Sequence, residues 1–114
     1  MRSIMLAILL LLCTPCAAQE QHGVASFYGK KFHGRTMANG KPFDMRAMTA
    51  AHKTLPFGSV VLVTSKVSGK AVRVEITDRG PYTKGRVIDL SRAAAEALDF
   101  VDEGLTHVVI QHIK

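Results

Sequence analysis

Cysteine is almost absent from this chain, because its only two, Cys13 and Cys16, lie among the first eighteen of 114 residues. A domain that begins after them has no cysteine and cannot be stabilised by disulfide bonds. The sequence also lacks the HExxH pattern of zinc proteases, the phosphate-binding loop that ends in Gly-Lys-Ser/Thr, and the Gly-x-Ser-x-Gly elbow of serine hydrolases. These absences argue against three common catalytic designs.

The histidine pattern does not favour a metal site either. His107 and His112 are five residues apart on a predicted strand, so their side chains should point to opposite faces and should not share a metal ion. We therefore expect no structural metal and no cofactor.

The first eighteen residues have the pattern of a secretory signal peptide. Arg2 supplies positive charge, residues 4–12 form an apolar run too short to cross a bilayer, and small residues precede a cleavage point after about Ala18. A proline stands before Cys16, where a lipid-attachment signal has a small residue, so we do not expect a lipid anchor at Cys16. We predict an exported protein, periplasmic or secreted, with no stable membrane insertion after cleavage.

Residues 19–114 are enough for one small domain, and they carry an excess of positive charge. They hold 14 lysines and arginines, since Arg2 is the only one outside them, against 9 acidic residues, a net charge of +5. A basic exported domain meets polyanions in a bacterial envelope, whereas export makes nucleic acid an unsuitable partner. The charge would equally keep a small secreted monomer soluble.

Short β-rich segments bounded by glycine and proline recur along residues 19–114. Residues 59–64 are continuously apolar, which predicts burial on both faces, whereas residues 71–77 alternate and predict one buried face. Residues 45–52 fit a helix or a strand, and we favour a strand at about 48–52. The remaining predicted strands lie at residues 23–28, 87–90 and 106–113.

One helix is predicted after residue 90. Ser91 can accept a hydrogen bond from the free amides of a first turn, and the helix should continue to about Leu98. With five or six strands and a single helix, the chain is predicted to be mainly β. It should form a small β-barrel with one short flanking helix.

Asp78 stands where the predicted strand over residues 71–77 ends. The loop that follows is rigid, because Gly80 admits a positive φ and Pro81 fixes its own φ at about −65°. A carboxyl group held in one place can protonate a leaving oxygen, which the cleavage of a glycosidic bond requires. Taken alone, the loop fits a salt-bridged turn between two strands better than it fits a catalytic site.

Three other side chains at predicted loop and strand ends could join Asp78 in a site. Asp44 could instead cap a turn, and His52 could be a core or turn histidine bonded to the backbone. Asp89 could be only a buried partner for an arginine such as Arg86. A glycoside hydrolase usually needs two carboxylates, whereas a lytic transglycosylase can work with one, because a hydroxyl of its own substrate attacks.

Several motifs, in unbroken order from residue 23 to about 113, resemble those of the rare lipoprotein A family. They are GVASFYG at 23–29, FHGR at 32–35, ANG at 38–40, FDM at 43–45, TAAHKTLPFG at 49–58, DRGPY at 78–82 and RVIDLS at 86–91. Members of this family are bacterial septal or cell-envelope lytic transglycosylases. The resemblance implies a six-stranded double-psi β-barrel over residues 19–114 that cleaves MurNAc–GlcNAc bonds of peptidoglycan strands and forms 1,6-anhydro-MurNAc ends.

The resemblance also implies roles for individual residues. Asp78 corresponds to the catalytic acid and base, and His52 and Asp44 correspond to the other residues that line the active cleft. On the loops around Asp78 we expect substrate-binding residues, which are Tyr28, Asn39, Lys41, Arg79 and Tyr82. The chain has no tryptophan, so the two tyrosines are its candidate surfaces for stacking on sugars, although both could equally pack the barrel.

Lys41 departs from the family pattern, which commonly has an acidic residue directly after Asn-Gly. A lysine near the cleft would favour the ionised form of a neighbouring carboxylate, whereas a general acid must be protonated. An alternative function therefore stays open. The domain could be a non-catalytic module of the expansin type, which binds peptidoglycan and loosens the wall through the same groove.

Overall fold

The computed structural model describes residues 20–114, so the signal peptide predicted at residues 1–18 lies outside the described part. The described residues form six strands, one short 3₁₀ turn and one short helix. Strands β1 to β6 are Glu20–Phe27, Thr49–Ala51, Val60–Ser65, Ala71–Asp78, Arg86–Leu90 and Thr106–His112, and helix α1 is Arg92–Ala97. Within residues 20–114 no helix has the length and apolar character needed to span a membrane.

The six strands close into a single barrel in the order β1-β5-β2-β4-β3-β6. Two of the strand pairs, β1 with β5 and β2 with β4, are parallel, and the other four are antiparallel. Closure leaves no unpaired edge among these six strands, which suits a domain whose residues 20–114 contain no cysteine for a disulfide bond. The predicted mainly β barrel with one flanking helix is confirmed.

The barrel interior is filled by small and branched apolar side chains, which pack closely in a narrow space. Those with less than 4% of their surface exposed include Ala25, Val61, Val63, Val74, Ile76, Ile88, Leu90, Val108 and Ile110. Helix α1 packs against this core through Ala94, Ala95 and Leu98. The predicted helix cap is confirmed, because Ser91 Oγ accepts a hydrogen bond from the Ala94 amide at 3.2 Å.

The prediction that strand β3 is buried on both faces is wrong. Val61, Val63 and Ser65 are buried, but the residues between them are partly exposed. Only the inner face of a barrel strand meets the core, and within residues 20–114 no second layer covers the outer face of β3. Strand β4 follows the predicted alternation more closely, since Val74 and Ile76 are both buried.

Candidate active site

A cavity of about 510 Å³ opens beside the ends of strands β1 and β4. Its volume falls in the range of sites that hold small molecules or parts of larger ligands. The walls come from the end of β1, the long loop that joins β1 to β2 (residues 28–48), the loop after β4, and strand β5. They are formed mainly by residues 27–29, 35–37 and 78–83, together with Arg86 and Asp89.

Strand pairing explains why two aspartates share this cavity. Ala51 on β2 pairs with Asp78 on β4 and, on its other side, with Asp89 on β5. Asp89 in turn pairs with Ser26 on β1. Since neighbouring strands lie about 4.8 Å apart, the backbones of the two aspartates are separated by roughly 10 Å. The pairing thus places Ser26, Asp89 and Asp78 in one row across the barrel wall.

The carboxylate of Asp78 is held by three hydrogen bonds. Its Oδ1 accepts from the amides of Ala38 at 2.8 Å and Arg79 at 2.9 Å, and its Oδ2 accepts from the Tyr28 hydroxyl at 2.5 Å. The amide of Asn39 also donates to the Thr77 carbonyl at 3.3 Å, which ties the long loop to the end of β4. The aspartate that the sequence singles out is therefore fixed at the cavity wall.

Tyr28 reaches Asp78 from a packed aromatic group. Its ring stacks on Phe43 at 4.5 Å between centroids, and the edge of Phe32 meets it at 5.7 Å. Burial, followed by the hydrogen bond to Asp78, raises the pKa of the Tyr28 hydroxyl far above its usual range, so the phenol stays protonated and donates. Of the two interpretations that the sequence allows, the structure favours packing, since one face of this ring is covered.

Arg79 connects the Asp78 loop to the chain that follows β2. Its Nη1 donates to the carbonyls of His52 at 3.0 Å and Leu55 at 2.8 Å. Its guanidinium also lies over the ring of Phe57, 4.1 Å from the centroid. Although Arg79 lines the cavity, these contacts assign Nη1 to holding residues 52–57 in place. Its substrate-binding role stays a prediction.

Asp89 is engaged by neighbours on its own face of the barrel. Its Oδ1 accepts from the Ser26 hydroxyl and from Arg86 Nη2, the latter at 3.2 Å. Arg86 Nη2 also contacts Ser26 Oγ at 2.5 Å. The predicted pairing of Asp89 with an arginine such as Arg86 is confirmed, but Asp89 is partly exposed at the cavity and not buried. The carboxylate lies in the same cavity as Asp78, which the sequence spacing could not show.

The His52 side chain lies outside this cavity and lines a second one of about 300 Å³, with Gln21 and His112. Its Nδ1 accepts from the amides of Thr54 and Leu55, both at 3.2 Å. Because Nδ1 is an acceptor, the ring proton belongs on Nε2, which lies 2.8 Å from Gln21 Oε1. His52 is thus the backbone-bonded turn histidine that the sequence left open as one interpretation.

The surroundings of His52 keep its imidazole neutral. Burial is the largest cause that lowers its pKa, and the positive charge of Arg79 adds to it. Only the backbone of His52 contacts Asp78, through an amide that donates to the Asp78 carbonyl at 3.1 Å. The structure therefore does not bring the imidazole to the carboxylate, and the catalytic role of His52 stays a prediction.

Asp44, Asn39 and Lys41 also lie outside the cavity lining. Asp44 Oδ1 accepts from the Arg46 amide at 2.9 Å, which is the turn-capping arrangement. Asn39 Oδ1 accepts from the Lys41 amide at 3.0 Å, and Lys41 is exposed. These residues shape the long loop, and the structure gives them no direct contact with Asp78. Their expected roles at the site stay predictions.

Comparison with known proteins identifies the family. A family model described as lytic transglycolase matches residues 20–110. The chain belongs to this family. Among curated relatives, the endolytic peptidoglycan transglycosylase RlpA of Neisseria meningitidis serogroup A is 53% identical over 93 residues, which cover 82% of this chain and 39% of the relative. The protein of the same name from Pseudomonas aeruginosa is 52% identical over 96 residues, 84% of this chain and 28% of the relative.

The family assignment confirms the resemblance to rare lipoprotein A proteins and the double-psi β-barrel fold. This chain nevertheless spans about two fifths or less of the length of these two relatives. Solved structures show the same barrel in other settings. A Streptomyces papain inhibitor matches with a TM-score of 0.66 at 26% identity, over 84% of this chain and 96% of that chain.

An expansin from Clavibacter michiganensis, solved without ligand, matches with a TM-score of 0.65 at 25% identity, over 84% of this chain and 51% of that chain. The barrel therefore occurs in proteins named for inhibition and in expansins as well as in lytic transglycolases. The fold alone therefore does not determine the function, which depends on the residues of the cavity.

Within this family barrel, sequence reasoning missed two parts of the site. Ser26 is a buried polar residue in β1 that contacts Asp89 and Arg86, and its position between Ala25 and Phe27 was the available signal. Arg35 lines the cavity from the long loop, and nothing in its spacing indicates this. Residues 20–114 contain no cluster of three or more histidine, cysteine or acidic side chains placed to bind a metal ion.

Proposed function

We propose that this domain is a peptidoglycan lytic transglycosylase that cleaves the bond between MurNAc and GlcNAc and leaves a 1,6-anhydro-MurNAc end. The observation that carries the proposal is the carboxylate of Asp78, fixed by three hydrogen bonds at the wall of an open cavity. Relatives about half identical in sequence, named endolytic peptidoglycan transglycosylases, support the reaction class.

The proposed reaction uses one carboxyl group twice. Protonated Asp78 gives its proton to the glycosidic oxygen as the bond from that oxygen to C1 of MurNAc breaks, because an alkoxide is a poor leaving group. The ionised carboxylate then takes the proton of the MurNAc C6 hydroxyl, whose oxygen bonds to C1. Asp78 ends protonated, as it began, and no water is consumed.

The second aspartate of the cavity is poorly suited to activate water. Asp89 accepts from both Ser26 and Arg86 through Oδ1 and forms a salt bridge with Arg86, so its carboxylate is already engaged by two neighbours. A hydrolase needs a second carboxylate that is available as a base or nucleophile. The engagement of Asp89 therefore favours the route in which the substrate supplies its own nucleophile.

In this proposal His52 and Asp44 act on the site through the backbone. His52 accepts from the amides of residues 54 and 55 and shares this loop with the carbonyls that Arg79 contacts. Asp44 caps the turn that follows Phe43, the residue on which Tyr28 stacks. Both would keep Asp78 and Tyr28 in position without touching the sugar.

The setting of this activity is also part of the proposal. The curated relatives are named for action on peptidoglycan, which lies in the cell envelope, so we infer that this protein is exported and acts in wall remodelling. The net positive charge of the domain and the arginines at the cavity, Arg35 and Arg79, would suit an anionic glycan polymer.

The test is product analysis in water labelled with heavy oxygen. Purified peptidoglycan strands are incubated with the domain, and the new ends are identified by mass spectrometry. The proposal predicts anhydro ends that contain no solvent oxygen. Reducing ends that carry the label would show hydrolysis and would overturn the transglycosylase mechanism.

The expansin-type alternative, binding without cleavage, rests on two observations: Lys41 where the family commonly has an acid, and the likeness to an expansin. Sedimentation with peptidoglycan and no product would favour it. A parallel assay of Lys41→Glu separates the cases, because a gain of products would mean that lysine impairs a catalytic cavity. A domain that neither binds nor cleaves peptidoglycan would rule out both functions.

A further inference from the structure

The hydrogen bonds to Asp78 leave its carboxylate with one open acceptor position. An ionised carboxylate has about four lone-pair sites, two on each oxygen. Oδ1 fills both of its sites with the amides of Ala38 and Arg79, at 2.8 and 2.9 Å. Oδ2 accepts only from Tyr28 among residues 20–114, at 2.5 Å. One site on Oδ2 therefore remains for a group on the substrate.

The two oxygens also differ in their ability to carry a proton. A proton on Oδ1 would face two backbone N–H groups, which are donors and cannot turn away. A proton on Oδ2 faces the Tyr28 hydroxyl, which can rotate and accept instead of donate. The protonated form of Asp78, which the acid step requires, is therefore the form with the proton on Oδ2.

We propose that Oδ2 of Asp78 is the atom that gives and takes the proton, and that Tyr28 is its positioning residue. This inference rests on the proposed transglycosylase function. In the acid step the O–H bond on Oδ2 breaks as the glycosidic oxygen gains the proton, and the Tyr28 hydroxyl stabilises the negative charge that forms on Oδ2. In the second step Oδ2 accepts the proton of the C6 hydroxyl, and Tyr28 again becomes the acceptor or turns aside.

The surroundings of Tyr28 fit a positioning role. The ring is held between Phe43 and the edge of Phe32, and its backbone amide donates to the Leu90 carbonyl at 3.0 Å. The hydroxyl oxygen is therefore held beside Oδ2 of Asp78, while its O–H bond can still rotate. Burial, followed by the hydrogen bond to Asp78, raises the pKa of the phenol well above its usual range, so it stays protonated and can donate to the ionised carboxylate.

Charged groups from several elements line the same cavity. They are Asp89 and Arg86 on β5, Arg79 after β4, and Arg35 on the long loop. Asp89 forms a salt bridge with Arg86. Removing the Tyr28 hydroxyl leaves all of these charges unchanged, so its effect on the site can be separated from theirs.

The experiment compares Tyr28→Phe with the wild-type domain. Phenylalanine keeps the ring that packs on Phe43 and removes only the hydroxyl. Because Tyr28→Phe loses the hydrogen bond to Asp78, we expect kcat to fall by about 10- to 100-fold and KM to change by less than about threefold. Because the reaction starts from protonated Asp78, its ionisation sets the basic limb of the pH–rate profile, and this limb should move to higher pH when the ionised carboxylate loses a donor. Ser68→Ala removes a hydroxyl bond outside the cavity and should change neither kcat nor the profile.

A second measurement does not depend on turnover. The side-chain carboxyl carbon of Asp78 is followed by NMR during a pH titration of folded wild type and folded Tyr28→Phe. A midpoint at higher pH in the variant supports the inference, and equal midpoints overturn it. If the wild type forms no anhydro product, the proposed function fails while the titration still decides the role of Tyr28. If the wild type is active and Tyr28→Phe has the same kcat and pH profile, only this inference fails.

Discussion

The Tyr28 hydroxyl and Asp78 Oδ2 lie 2.5 Å apart, although fifty positions separate the two residues in the sequence. Tyr28 directly follows β1, and Asp78 is the last residue of β4. Strands β5 and β2 stand between β1 and β4 in the closed barrel. The contact therefore depends on the pairs β1 with β5, β5 with β2 and β2 with β4, which join parts of the chain that are distant in sequence.

Arg79 should stabilise the loop beside Asp78 more than its partly exposed position suggests. Arg79→Lys should lower the free energy of unfolding by about 1–3 kcal/mol, because a lysine ammonium cannot reproduce both carbonyl contacts and the stacking on Phe57. Urea denaturation followed by circular dichroism measures the change. The matched control is Arg73→Lys on the preceding strand β4, since Arg73 is exposed. Equal stability of the two variants would contradict the assigned contacts.

His52 should make the folded domain less stable in mild acid. Its pKa is lowered in the folded state, so below about pH 6.5 the unfolded chain binds a proton that the folded chain does not. Stability from this residue is therefore complete above that pH and is lost as the pH falls. We expect the wild-type melting temperature to drop between neutral pH and about pH 5 more than that of His52→Asn.

Two variants separate the titration of His52 from its role in the turn. Asparagine can still accept from the amides of Thr54 and Leu55 and does not titrate, whereas alanine removes the acceptor. His52→Ala should therefore be the less stable of the two at neutral pH. If the wild type and His52→Asn lose stability in parallel on acidification, the assigned neutral state is wrong.

Gly23 marks a close approach between β1 and β5. A Cβ at this position would lie 2.4 Å from Val87 Cγ1, and valine has little freedom to turn away. Gly23→Ala should cost about 1–3 kcal/mol of unfolding free energy, as overpacking usually does. Gly29→Ala is the control, since nothing lies within 4 Å of its added Cβ. A Gly23→Ala domain as stable as the control would show that the strands adjust freely.

Local features of this fold were readable from the sequence. The alternation of β4 and the cap at Ser91 depend on neighbouring residues only, and both were predicted. The burial of β3 was predicted wrongly, because an apolar run does not reveal whether one layer or two will cover it. The double-psi barrel was predicted only through the resemblance to a known family, because the parallel pairing of β1 with β5 has no signal in the local sequence.

In the candidate site, too, the features with a local sequence signal could be predicted and those that depend on distant strands could not. Asp78 could be singled out because a strand end, a glycine and a proline coincide there. Its contact with Tyr28, and the shared cavity with Asp89, depend on pairings between distant strands. The direction of the His52 side chain depends on the turn at residues 52–55, which its imidazole itself stabilises. Spacing along the chain could not have placed that ring in a second cavity.

The central claim is that Asp78 is the acid and base of a lytic transglycosylase, and Asp78→Asn tests it most directly. Asparagine can present Oδ1 to the amides of Ala38 and Arg79, so the fold should be kept, but it cannot transfer the proton. The measurement is the rate at which anhydro-MurNAc ends form from purified glycan strands. Given the usual contribution of a general acid, we predict a loss of at least about a hundredfold with the melting temperature nearly unchanged. Wild-type rates in a folded Asp78→Asn domain would contradict the account.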